Sequence, residues 1–130
     1  MNTFLSELSE KEKGIVNQMR ALILKIDIKV IENIGNIMSS KNCFIYKEED
    51  VFKYGLAKTK NHFSFHSMIM YSNQEVRNFI ENNSKNLTIQ KGCVNFKNVN
   101  NFSLDLFKEF LLVSAKADFS LVMNHYKQKK

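Results

Sequence analysis

The chain has 130 residues and a mass of 15.2 kDa, with 44% hydrophobic and 25% charged residues, a net charge of +6 and a pI near 9.3. At this length one domain can bury about two thirds of the surface its unfolded chain exposes, and the ordinary composition excludes a disordered chain and a membrane protein. The start is not a basic segment followed by an apolar run, the apolar stretch Ala21 to Leu24 is too short to span a bilayer, and Cys43 and Cys93 lack a CxxC spacing; the expectation is a cytoplasmic protein with two reduced thiols and no membrane insertion.

In chain order, Ser9 followed by Glu12 makes a capping box. Ile15, Met19, Leu22, Ile23 and Ile26 then form one apolar stripe, which predicts a helix to about Lys25. Asp27 serves as a second N-cap, and Val30, Ile31, Ile34, Ile37 and Met38 fall at helical spacing, so a second helix is predicted up to the polar break at 39–42. Gly35 costs that helix about 1 kcal/mol relative to Ala. From Cys43 the period changes to two: 43–46 reads as a strand and 47–50 as a charged turn.

The stretch from Val51 to Met70 reads as a hairpin about Lys60 and Asn61. Phe52, Tyr54, Leu56, Phe63 and Phe65 alternate along one face, while Lys53, Gly55, Ala57, Thr59, His62, Ser64 and His66 occupy the other. Ser72 with Glu75 predicts a short amphipathic helix carrying Val76, Phe79 and Ile80. Leu87 to Ile89 and Cys93 to Phe96 read as a second hairpin, whose Gly92 is expected to take a positive φ. Ser103 caps the last helix, with a wide apolar surface that includes Phe107, Phe110 and Leu111. It either runs to about Tyr126 or bends near 116–118.

Strands in a block between helices predict an α+β fold. The expectation is a single domain over residues 1–130, its core at about 10–117 and its C-terminal helix and basic tail at 103–130. It has a roughly five-stranded, mainly antiparallel sheet, a meander plus a hairpin, packed by N-terminal, middle and C-terminal helices.

The order of these segments, Val30 to Ile34, Val51 to Leu56, Lys60 to Phe65 and Gly92 to Phe96, resembles the YdhG-like family of small bacterial α+β domains over roughly Asn17 to Ala117. The Lys-x-His-x-Ser run at Lys60 to Ser64 and the Gly-x-x-x-Phe run at Gly92 to Phe96 carry it. The resemblance implies a five-stranded antiparallel sheet and a mostly unassigned function, some members being described as frataxin-like iron chaperones.

Four residues of strand separate His62 from His66 by about 13 Å, too far to share one ion without a bulge. Ser64 between them has no acid to orient either imidazole, and no Gly-rich phosphate loop or nucleophile elbow is present. The carboxylates Glu48, Glu49 and Asp50 read as a solvated charge run. The resulting expectation is a non-enzymatic binding domain without cofactor or metal, holding a small ligand or partner protein on the polar hairpin face. Its candidate residues are Tyr46, Lys53, Tyr54, His62, Ser64 and His66. The alternatives are a frataxin-like iron chaperone and weak polyanion binding, the latter through Tyr54, Phe63 and Phe65 interleaved with Lys53, Lys58 and Lys60 as a nucleic-acid platform.

Overall fold

The computed structural model of the chain describes residues 3–128. After a 3-10 turn at Phe4–Glu7, helix α1 spans Glu10–Ile26. Its capping box forms as predicted: Ser9 Oγ accepts the Glu12 amide at 3.2 Å, and the Glu12 carboxylate accepts the Ser9 amide at 3.0 Å. Val16, Met19 and Ile23 are its buried centre, with Ile15, Leu22 and Ile26 packed beside them.

The next segment departs from expectation. In place of a second helix it forms strand β1, Ile31–Ile37, antiparallel to β2, Ser40–Glu48. Isoleucines three apart mimic a helical stripe, but β1 is an edge strand that leaves Ile31 and Ile34 exposed, so their spacing reports no buried face. β-Branched side chains favour the extended backbone, Gly35 disfavours the helix, and pairing with β2 decides the outcome. The sheet therefore has six strands, not about five.

Strands β3, Val51–Lys58, and β4, Phe63–Ser67, form the predicted hairpin. Between β2 and β3 the turn is shorter than expected, with Glu49 and Asp50 both at positive φ, 50° and 67°. Helix α2, Met68–Ser72, follows β4 directly because Ser67 caps it, its Oγ accepting the Met70 amide at 3.0 Å. Helix α3, Gln74–Glu81, starts from Asn73 instead of Ser72, whose hydroxyl donates to the Met68 carbonyl. Strands β5, Thr88–Ile89, and β6, Cys93–Phe96, make the second hairpin, though Gly92 does not take a positive φ. Helix α4, Leu104–Lys116, ends at a break, and α5, Ser120–Gln128, is separate. Lys129 and Lys130 of the basic tail lie outside the described residues. No helix among those residues is long and apolar enough to cross a membrane.

All neighbouring strands are antiparallel, in the order β1-β2-β3-β4-β6-β5. One face carries Phe44, Tyr46, Tyr54, Leu56, Phe63 and Phe65 into a core completed by α1, α3 and α4. Edge-to-face contacts of Phe65 with Phe107 at 4.9 Å and of Phe102 with Phe107 at 5.2 Å bind sheet to helix. The opposite, outer face has a smaller cluster of Ile37, Cys43, Ile45 and Ala57, with Phe52 packed against it.

A bulge sorts these faces. Tyr46 pairs with Tyr54 and Lys47 with Phe52, leaving Lys53 as an extra residue on β3. Lys53 consequently joins Tyr54 on the helix-covered side and Phe52 passes to the outer side, the reverse of simple alternation.

Candidate functional site

The six sequence candidates do not come together. Tyr46, Lys53 and Tyr54 are buried on the helix-covered face. There Lys53 Nζ lies 2.7 Å from Asp27 Oδ2 and 2.7 Å from Glu48 Oε1, and the Tyr54 hydroxyl donates to the same Asp27 oxygen at 2.8 Å. Phe119, between α4 and α5, places its ring 5.1 Å from Nζ. This cluster fastens the end of α1, the β2–β3 turn and the last helical connection to one ammonium group.

Next to it, Arg20 forks onto Glu32 at 2.7 and 3.0 Å, and Tyr46 donates to Glu32 at 2.7 Å. Burial raises the Glu32 carboxyl, but the bonds from Arg20 and Tyr46 outweigh it and hold the group below its ordinary range. Burial and then the neighbouring carboxylates push both tyrosine hydroxyls far up, so they remain neutral donors. Glu32, Tyr46 and Tyr54 are successive cross-strand partners, a polar row that runs from the sheet edge into the core. With its donors and acceptors matched to one another, it is built to hold the fold.

Ser64 is buried on the outer face and donates to Asn95 Oδ1 at 2.6 Å. His62 sits in the β3–β4 turn, where its amide donates to Thr59 Oγ1 at 3.1 Å, and it lines a recess with Asn86, Thr88 and Asn95. His66 faces a different hollow, so the two imidazoles do not share a site. Among the described residues no three His, Cys, Asp or Glu side chains group as a possible cation site. Tyr54, Phe63 and Phe65 are core residues and offer no stacking surface to a base. Lys41, Lys58 and Lys60 do share a polar recess of about 550 Å³ with Thr59, Ser39 and Glu7.

The hollow facing His66 is larger than either of these recesses, about 820 Å³. Besides His66 on β4, its walls come from five places: Ile37 and Met38 at the end of β1, Phe52 on β3, Met68 and Tyr71 on α2, Gly92 and Cys93 in the β5–β6 hairpin, and Tyr126 on α5. Each wall has a local cause. The bulge at Lys53 sends Phe52 outward, and the Ser67 cap turns the chain abruptly into α2. Arg77 on α3 fixes the β5–β6 turn by donating to the carbonyls of Gln90 and Lys91 at 3.1 and 2.9 Å.

Gly55 underlies the floor, because a Cβ there would stand 2.4 Å from Ile37 Cδ1 and 2.9 Å from the Phe52 ring. The lining is mostly apolar, and apolar groups reach into solvent at its mouth: Met38 is 92% exposed and Tyr71 59%. His66 and Cys93 are directly opposed across β4 and β6. Burial lowers the imidazole pKa and raises that of the thiol, so both are neutral at pH 7. Cys93 Sγ donates to Gln90 Oε1 at 3.1 Å.

Of these lining residues the sequence reading named only His66 as a candidate. Simple alternation puts Phe52 on the core face because a bulge has no signal in a period-two pattern, and Tyr71 lies on α2, a helix that the sequence pattern does not predict. Lys53 did carry a signal for its true role: a single charge between two aromatics in an apolar strand has to be paired if it is buried. No family model, no curated protein and no solved structure matches this chain.

Proposed function

We propose that this chain is a non-enzymatic binding domain that holds a small, largely apolar molecule in the hollow beneath His66. The observation carrying the proposal is a cavity of about 820 Å³ whose apolar walls open between Met38, Tyr71 and Tyr126. That volume lies in the range of small-ligand sites, which are mainly apolar with a few polar groups to set orientation. His66, Cys93 and the Gln90–Gly92 turn supply those groups. Binding rather than catalysis is favoured because a neutral thiol beside a neutral imidazole is not the thiolate–imidazolium pair of an activated cysteine. The resemblance to YdhG-like domains belongs to the same proposal and supplies no ligand of its own.

A panel of neutral aromatic compounds, screened by saturation-transfer NMR, tests it. Compounds should bind, and Tyr71→Ala should weaken them about tenfold, the loss of roughly 1.4 kcal/mol of apolar contact. The melting temperature should stay unchanged, since Tyr71 is mostly exposed. Absence of binding across the panel, or binding indifferent to Tyr71→Ala, would sink the proposal.

A further inference from the structure

The two edges of the sheet are managed differently. At one edge β5 is only two residues long, too short to template another strand. The other edge, β1, has seven residues with no Lys, no Pro and no bulge of its own, and its one charge, Glu32, is turned inward and bonded to Arg20 and Tyr46. The register shift between β1 and β2 adds its extra residue on β2, where Asn42 takes a φ of 59°, so the free side of β1 stays regular. Ile31 is 68% exposed and Ile34 41%, and Ile28 just before the strand is 84% exposed. None of the three packs into the core clusters.

Charge is also missing where the rest of the chain is basic. Between Lys29 and Lys41 the only ionisable residue is Glu32, and Arg20 and Tyr46 already hold its carboxylate. A chain at +6 that approached a copy of itself elsewhere would meet repulsion; at β1 that repulsion is weakest.

We infer that β1 pairs antiparallel with β1 of a second copy of this chain, joining two six-stranded sheets across a two-fold axis. The strand is complementary to its own reverse. Centred on Ile34, the register sets Ile34 against Ile34, Ile31 against Ile37, Glu32 against Asn36 and Asn33 against Gly35 of the partner subunit. Apolar meets apolar, and no like charges face each other.

The faces agree as well. Ile37 is on the outer face and so is Ile31, by its alternation with Glu32, and partners directly opposed across a ladder point to the same side. Ile31 of the partner subunit therefore lands beside Ile37, at one wall of the large hollow.

Sedimentation equilibrium of the full chain over a wide concentration range tests the pairing, together with Ile31→Lys/Ile34→Lys, which puts a lysine of each copy at the centre of the seam and another at its end. The wild type should reach the mass of a dimer. The double variant should stay monomeric at concentrations where the wild type is mostly dimeric, with an unchanged circular dichroism spectrum. As an independent check of register that leaves the fold intact, Ile34→Cys should cross-link to itself on mild oxidation, whereas Ile31→Cys should not, because its opposite is Ile37. A wild type that is monomeric throughout, a dimer insensitive to both lysines, or equal cross-linking at the two positions overturns the inference.

Discussion

On the helix-covered face of the sheet, Asp27, Glu48, Lys53, Tyr46 and Tyr54 are polar and buried, and each is bonded to another side chain. On the outer face, Met38, Phe52 and Tyr71 are apolar and exposed or half-exposed, arranged around an open hollow. The usual inference from polarity to function is inverted here. Matched polar groups have little left to offer a ligand, whereas apolar surface held in contact with water gains free energy when something covers it. Under the proposed function, structural rigidity and recognition fall on opposite sides of one sheet.

The sharpest break in this contrast comes from removing the centre of the buried cluster. Lys53→Met keeps the stem but leaves Asp27 and Glu48 as buried carboxylates with no cation between them. Breaking a buried ion pair in this way costs about 3 to 5 kcal/mol. Urea unfolding should show a loss of that order, while any compound that binds the outer hollow should still bind the folded fraction. A loss below about 1 kcal/mol would mean that the cluster is not what secures α1 to the sheet.

One oxygen on the packed side escapes the matching. Ser114 Oγ on α4 is buried without a partner among the described residues. Ser114→Ala removes an unmet donor and installs a better helix former, so stability should rise by about 1 kcal/mol. A decrease measured in the same urea titration would show that the hydroxyl is satisfied after all.

Much of this division was legible in the sequence, but unevenly. The capping box at Ser9, the stripe of α1, the β3–β4 hairpin and the aromatic surface of α4 are local patterns that match their surroundings, and all of them appear. What was not legible depended on register. The bulge at Lys53 adds one residue to β3, and every assignment of faces on its N-terminal side then reverses, although no residue type announces it. β1 imitates a helix for a related reason: an edge strand needs little burial, so its apolar spacing is free to fall at helical intervals. The site is the least legible part, because its walls come from distant segments and, of the residues that line it, only His66 stands on the polar hairpin face as a site candidate.

The smallest effect separates the two faces by pH. Burial holds the His66 imidazole below its ordinary value of 6.5, so the folded state resists a proton that the unfolded chain accepts. Above that value both states are neutral and His66 adds no pH dependence. As pH falls through it, the unfolded ensemble binds the proton first and stability declines, until the folded-state pKa is passed and the loss stops growing. The carboxylate Glu32 on the packed face, with its pKa lowered, acts only at more acidic pH, below the ordinary carboxylate value of 4.5. Unfolding free energies of the wild type and His66→Gln, compared between pH 7.5 and 5, should therefore diverge only on the acid side of about 6.5, with the wild type showing the steeper loss. Parallel curves would place His66 in water rather than in the hollow. A wild type that gained stability toward acid would require a carboxylate against the imidazole, and with it a different chemistry for the ligand.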